Sequence, residues 1–224
     1  PKTPKPHLCC LDIESQELMD LSNLLTYINN MNSLFSSLLV AVAAAQSTVD
    51  ANTLPDVDYN DFEQLWFDNY IDHFNFQDTR TYPERYWVND KYWTETSAPN
   101  FIYFCGEYTC SPPAERHFPF MVGAHHGARL FVIEHRFYGS SQPCDDWSVA
   151  CFSTLNSEQA LADFAHFLSK MNEDMPERPT IVVGGSYPGA LSAWFRLKYP
   201  HLTVASWAAS AVVEPYEDMW SYDE

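Results

Sequence analysis

The segment Thr180–Pro200, TIVVGGSYPGALSAWFRLKYP, restricts the fold of this chain more than any other. A short apolar run leads into two glycines and a serine, and a sequence of helical character follows until Pro200. This order is typical of a nucleophile elbow, in which a buried strand ends in a tight turn that carries a serine and opens directly into a helix. The segment therefore predicts a strand, a helix and, between them, a catalytic nucleophile at Ser186.

Pro188 departs from the G-x-S-x-G form of this motif, which has glycine two residues after the serine. Proline suits the position, because its fixed φ fits the first turn of a helix and its missing N–H would have no intrahelical partner there. The N–H of Tyr187 is retained, and we expect it to stabilise an oxyanion. A purely structural glycine turn is one alternative. A phosphate-binding loop is disfavoured, because neither a following lysine nor G-x-G-x-x-G is present, and we expect no cofactor.

Three further apolar runs predict strands, at Phe101–Glu107, Ala128–Arg136 and Leu202–Ser210. Their continuous apolar character is typical of a parallel sheet that is covered on both faces. A helix with Asn156 as its N-cap is predicted between the strand at Ala128–Arg136 and the strand that leads to Ser186. Strands that alternate with helices indicate βαβ units, so the sequence predicts an α/β fold with a mostly parallel sheet and flanking helices.

Four segments in order resemble the serine peptidase family that includes lysosomal Pro-Xaa carboxypeptidase, dipeptidyl-peptidase II and thymus-specific serine protease. They are DHFNF…RYWVNDKYW, VIEHRFYGSSQP, LNSEQALADFAHF and GGSYPGALSAWFRLKYPH. The resemblance extends from about Phe67 to Tyr222. It implies an α/β-hydrolase core of which this chain is the N-terminal half, with the helical cap domain and the C-terminal part of the core missing. It also implies a secreted or lysosomal serine exopeptidase that acts on peptides, often beside proline.

The resemblance assigns roles to individual residues. The family's nucleophile falls on Ser186, and the N–H of Tyr187 becomes one oxyanion donor. Gly106 and Glu107 follow the strand whose end usually supplies the second donor, and they are candidates for contact with the substrate. A solvent-exposed loop charge is an equal alternative for Glu107. His135 is expected to be a structural hydrogen-bonding residue rather than a catalytic base.

The rest of a catalytic triad is not found in the required order. In this fold an acid and then a histidine follow the serine. His201 is the only later histidine, and every later acid follows it. The family implies that both residues lie downstream, so we expect the chain as printed to be inactive. The alternatives are a truncated relative that acts by binding and an α/β-hydrolase esterase.

Four cysteines, Cys105, Cys110, Cys144 and Cys151, lie within the region of resemblance. Four thiols allow three pairings, and the sequence alone does not choose among them. Short-range closure, which pairs the first two and the last two, is weakly preferred. A zinc site is disfavoured, because no C-x-x-C spacing occurs, and we expect no metal.

The N-terminal part suggests processing rather than a folded domain. An apolar stretch within residues 31–45 has the length of a signal-peptide core, so we predict that 31–45 is a signal peptide and 1–30 an upstream extension. A buried helix is the alternative. Residues 46–66 are expected to be an acidic N-terminal segment, and 67–224 the N-terminal part of the α/β-hydrolase peptidase domain. The net charge of −18 opposes binding to nucleic acid or anionic membranes. We expect passage through the secretory pathway and no membrane span, and the oligomeric state is left open.

Overall fold

The structure is a computed structural model that describes residues 51–219, apart from 96, 114, 115, 147 and 175–177. The predicted upstream extension and signal peptide, and the first residues of the acidic segment, lie outside the described residues. None of the helices in the described ranges has the length and apolar character needed to cross a membrane.

The described residues form six strands, a short 3-10 helix at Tyr59–Asp61 and four α-helices. The strands are β1 Glu63–Tyr70, β2 Thr81–Asn89, β3 Asn100–Phe104, β4 Arg129–Ile133, β5 Thr180–Gly185 and β6 Ala205–Ala209. The helices are α1 Phe118–His125, α2 Val149–Phe152, α3 Ser157–Asp174 and α4 Tyr187–Lys198. The predicted strands and helices are therefore present, with strands a few residues shorter than the apolar runs.

The strands form one sheet in the order β1-β2-β4-β3-β5-β6. The pairs β4–β3, β3–β5 and β5–β6 are parallel, whereas β1–β2 and β2–β4 are antiparallel. This confirms the α/β fold with a mostly parallel sheet and flanking helices. The antiparallel β1–β2 pair was not predicted, and Pro83 explains why, since proline inside a run argues against a strand. β1 starts at Glu63, so the sheet includes four residues of the predicted acidic segment.

Both faces of the sheet are buried, as the continuous apolar runs predicted. Successive residues of β3 point to opposite faces: Ile102 and Phe104 pack with α3 and α4, whereas Phe101 packs with α1. The ring of Phe104 stacks on that of Phe164 with centroids 3.9 Å apart. Two aromatic rings in such contact bury much apolar area, and truncation of either to alanine is expected to cost about 3–5 kcal/mol.

Local signals in the sequence also have the expected outcome. The Asn156 side chain accepts a hydrogen bond from the Gln159 N–H at 2.9 Å, which makes Asn156 the N-cap of α3. The two short-range disulfides are present, Cys105–Cys110 and Cys144–Cys151. The first closes the loop that follows β3, and the second connects the loop before α2 to that helix.

A buried ion pair connects α3 to the segment after β4. The Arg136 guanidinium donates to both carboxylate oxygens of Asp163, with Nη2 to Oδ1 at 2.7 Å, and it also donates to the carbonyls of Tyr70 and Ile71. His73 Nε2 lies 2.7 Å from Asp163 Oδ1. Both partners of the pair are fully buried, so loss of either would leave an unpaired charge in the interior.

Beside this ion pair, the number of hydrogen atoms available for hydrogen bonds determines whether Glu84 is charged. The Tyr82 hydroxyl lies 3.1 Å from Glu84 Oε1 and 3.0 Å from Asp163 Oδ2, yet it has one hydrogen to donate. A proton on Glu84 resolves this, because Glu84 then donates to Tyr82 and Tyr82 donates to Asp163. Burial raises the pKa of Glu84 well above its ordinary value, and the negative charge of Asp163 adds to the effect. Glu84 is therefore held as a carboxylic acid.

Replacement of Glu84 by glutamine is expected to change how stability depends on pH. Because the pKa of Glu84 is raised on folding, its stabilising contribution is complete below the unfolded pKa of about 4.3 and declines as pH rises towards the folded pKa. Glutamine keeps the donor to Tyr82 and the acceptor for Asn69 without titrating. Glu84→Gln should gain up to about 1.4 kcal/mol per pH unit relative to wild type over that range. Urea unfolding of both proteins between about pH 4 and pH 8 measures this, and parallel curves would contradict the assignment.

Candidate active site

Ser186 occupies a strained turn between β5 and α4. Its φ of 61° and ψ of −127° are rare for a residue other than glycine. The backbone is fixed on both sides, because the Ser186 N–H donates to the Ala209 carbonyl at 2.9 Å and its carbonyl accepts from the Ala190 N–H at 3.0 Å. The side chain is exposed and does not cap α4. The Oγ atom is therefore accessible at the carboxyl edge of the parallel strands.

Small residues allow the elbow to form. A Cβ atom on Gly184 would lie 2.1 Å from the Pro188 carbonyl oxygen, and one on Gly189 would lie 2.7 Å from the Ala209 carbonyl oxygen. These contacts are with backbone, which cannot move aside as a flexible side chain could. The end of β5, the start of α4 and the end of β6 therefore approach one another closely only because both positions are glycine.

The loop after β3 lies against the first turn of α4. A Cβ on Gly106 would be 2.6 Å from Pro188 Cγ and 3.5 Å from Tyr187 Cδ1. Among the residues that the structure describes, none accepts a hydrogen bond from the N–H of Glu107 or of Tyr187. The geometry thus brings the candidate oxyanion donors onto two segments that touch. The carboxylate of Glu107 is exposed and has no ion-pair partner in the described ranges.

His135 lies beside the elbow, but both of its nitrogens are occupied. Nδ1 is 2.8 Å from the Arg136 carbonyl, which can only accept, so Nδ1 carries the hydrogen. Nε2 then accepts from the Tyr187 hydroxyl at 3.0 Å. Burial lowers the pKa of His135, which keeps the ring neutral. Burial also raises the pKa of Tyr187 to about 12, and the charge of Glu107 adds to this. His135 is therefore a structural hydrogen-bonding residue, as expected; it orients Tyr187 and is not placed to act as a base for Ser186.

The structure brings together some of the residues that the sequence singled out and leaves others apart. Ser186, Tyr187, Gly106 and Glu107 gather at one edge of the sheet. His201 is exposed beyond the end of α4. No histidine in the described part of the chain forms a hydrogen bond with the Ser186 side chain.

Sequence reasoning missed one important feature of the site, the Arg85–Glu134 ion pair that underlies the loop 105–110. Arg85 Nη2 donates to Glu134 Oε1 at 2.6 Å. The charged residues Glu134–Arg136 at the end of an apolar run indicated that this strand end has polar partners. Arg85 on β2 could not be identified as the partner of Glu134 without the antiparallel pairing of β2 with β4.

Comparison with known proteins identifies a family that matches most of the chain. The family model described as serine carboxypeptidase S28 matches residues 69–224. The chain is 37% identical over 191 residues to the lysosomal Pro-X carboxypeptidase of Homo sapiens, which covers 81% of this chain and 38% of that protein. It is 39% identical over 163 residues to the thymus-specific serine protease of Homo sapiens, which covers 71% of this chain and 32% of the relative. The aligned region thus spans less than half of the length of these relatives.

Among solved structures, the chain resembles a Bacteroides ovatus protein described as a dipeptidyl aminopeptidase IV. The TM-score is 0.50 at 14% identity, and the match covers 68% of this chain and 21% of that chain. At this level of identity the likeness concerns the fold alone, and it agrees with the α/β-hydrolase type of sheet.

Substitution of the two adjacent glycines of β5 should have opposite outcomes. Gly184→Ala would place a methyl group 2.1 Å from a backbone oxygen, so the turn at Ser186 must shift. Gly185→Ala meets no atom nearer than 4.0 Å and serves as the matched control. We expect Gly184→Ala to lower the free energy of unfolding by about 1–3 kcal/mol and Gly185→Ala to change it by less than about 0.5 kcal/mol. Urea unfolding of both variants and the wild type measures these differences. Equal effects of the two variants would contradict the described packing.

Proposed function

This chain belongs to the serine carboxypeptidase S28 family, and we propose that it carries the nucleophile of a proline-directed serine exopeptidase that acts on peptides. The observation that carries the proposal is the conformation of Ser186, a non-glycine residue at positive φ whose exposed side chain does not cap the following helix. Backbone strain of this kind persists where function requires it.

The chemistry follows from the arrangement of groups around Ser186. The Oγ atom attacks the carbonyl carbon of the scissile peptide bond, a C–O bond forms, and the carbonyl oxygen becomes an oxyanion. The N–H of Tyr187 and an N–H of Gly106 or Glu107 donate to that oxygen. The C–N bond then breaks, and the leaving amine takes the proton that a histidine has removed from Ser186. Water hydrolyses the acyl-enzyme and releases the second product.

The histidine and the acid of the triad are proposed to come from sequence beyond residue 224. In this fold both follow the serine in the chain, with the acid first. His201 does not meet this requirement, since it is exposed after α4 and precedes every later acid.

Substrate preference and location are further parts of the proposal. The preference for proline rests on the similarity to lysosomal Pro-X carboxypeptidase. Two disulfides are typical of an oxidising compartment, which supports a secreted or lysosomal protein with a signal peptide at 31–45 after an extension at 1–30. The acidic segment 46–66 would then precede the peptidase domain that begins near residue 67. Glu107 is proposed to contact the substrate, because its unpaired carboxylate lies next to the elbow.

Expression of the complete gene with Ser186→Ala tests the function. We expect the wild-type protein to cleave peptides with proline beside the scissile bond, and the variant to lose activity by about 10⁴-fold or more, because no other group can form the acyl-enzyme. Mass spectrometry of peptides that end in Pro-X, or begin with X-Pro, measures which bond is cut. Ser169→Ala, an exposed serine on α3, is the control and should retain activity.

Other outcomes of this assay point elsewhere. Turnover of esters without turnover of peptides would indicate an esterase. Absence of any turnover, with no labelling of Ser186 by a fluorophosphonate, would indicate a non-catalytic protein that acts by binding.

A further inference from the structure

Glu134 is a buried carboxylate that accepts five hydrogen bonds. Oε1 accepts from Arg85 Nη2 at 2.6 Å and from the Cys110 N–H at 3.1 Å. Oε2 accepts from Arg85 Nε at 3.2 Å, the Ser140 N–H at 3.0 Å and the Ser141 hydroxyl at 2.8 Å. The side chain is completely buried. A single carboxylate therefore joins β2, the turn after β4 and the end of the loop 105–110.

The loop 105–110 is fixed at both of its ends. At the start, the Cys105 N–H donates to the Ile133 carbonyl at 2.9 Å. At the end, Cys110 donates to Glu134, and its carbonyl lies 3.4 Å from Arg85 Nη2. The disulfide between Cys105 and Cys110 closes the loop, and a bond from the Tyr108 N–H to the Gly106 carbonyl at 2.8 Å tightens it.

The fixed loop is the one that touches the elbow. Gly106 packs on the ring of Pro188 in the first turn of α4, so the position of Cys110 sets the position of Gly106 and Glu107 relative to Ser186. We propose that Glu134 is a positioning residue for catalysis, which holds the loop that carries the second oxyanion donor against the serine elbow. The inference rests on the proposed function and adds a residue that does not touch the substrate.

The Glu134→Gln variant tests the positioning role, because it keeps a buried side chain of nearly the same size and changes only its charge and hydrogen bonds. Four of the five donors to Glu134 are N–H groups, which cannot accept, whereas the Ser141 hydroxyl can also accept. In either orientation the NH₂ of glutamine therefore faces an Arg85 nitrogen and one backbone N–H, that of Cys110 or that of Ser140. Either orientation also removes the negative charge that holds Arg85 beside the Cys110 carbonyl, so the end of the loop is held less firmly.

The experiment compares Glu134→Gln with wild type in the product of the complete gene. We expect kcat and kcat/KM to fall together by about 10- to 100-fold with KM unchanged, because a displaced oxyanion donor acts only in the transition state. The rate of fluorophosphonate labelling of Ser186, which also forms a tetrahedral centre, should fall by a similar factor.

Glu84→Gln is the matched control. It makes the same chemical change at an equally buried residue of β2, next to Arg85, but it contacts the Asp163 cluster and not the loop. It should leave kcat, KM and the labelling rate within about twofold of wild type, since it does not move the oxyanion donors.

A second variant covers the case in which Glu134→Gln does not fold. Arg85→Lys keeps a positive charge beside Glu134 but loses the two-pronged contact and the approach to the Cys110 carbonyl, so kcat should fall by about 3- to 10-fold with KM unchanged. Wild-type kcat and labelling rate in either folded variant would overturn the inference. Labelling of Ser186 without peptide cleavage in wild type would contradict the proposed function only, and the labelling rates of the variants would still decide the role of Glu134. Absence of wild-type labelling would overturn both.

Discussion

The close approach of β5, α4 and β6 at Ser186 is the constraint on which the rest of this site depends. The chain must reverse from strand to helix across one residue, and it does so only with glycine at 184 and 189, where backbone oxygens occupy the space of a side chain. The strain at Ser186 is sustained by its backbone bonds to Ala209 and Ala190. Because β3 runs parallel to β5, the loop after β3 reaches the same edge and meets the start of α4. The fold thereby brings the proposed nucleophile and the proposed backbone donors together at one edge of the sheet.

Three consecutive residues after β4 secure this edge, each towards a different element. Glu134 binds the loop 105–110, His135 binds the Tyr187 hydroxyl, and Arg136 binds Asp163 on α3. Side chains at such a strand end can diverge because the regular alternation of the strand has stopped. Buried charges are tolerated here because each is paired and fully hydrogen-bonded. The segment therefore connects the serine elbow, the loop 105–110 and the longest described helix through polar contacts rather than through the apolar core.

Much of this arrangement could be predicted from the sequence, and the part that could not has a physical reason. The elbow, the individual strands and the N-cap at Asn156 follow from local patterns, because each depends on residues close together in the chain. The short-range disulfides were only a preference, since four thiols allow three pairings. The β1–β2 pair was missed, since Pro83 and mixed polarity obscure β2. Its absence also concealed the partner of Glu134, because Arg85 lies 49 residues away and only the antiparallel register of β2 with β4 brings the two together. Non-local ion pairs of this kind leave no periodic signal.

The two buried glutamates of the sheet show how the same residue type acquires different roles from its neighbours. Glu134 faces only donors, so its full set of bonds fixes geometry around the loop and the turn at Gly139, where a Cβ would lie within 1.9 Å of its Oε1. Glu84 faces Asp163, and the shortage of hydrogens between two acids and one tyrosine makes a proton part of its structure. A change of pH therefore acts on the cluster that joins β1, β2 and α3. The two clusters include adjacent residues of β2 but face different elements, since Glu84 contacts the Asp163 cluster and Arg85 contacts Glu134 beside the loop 105–110.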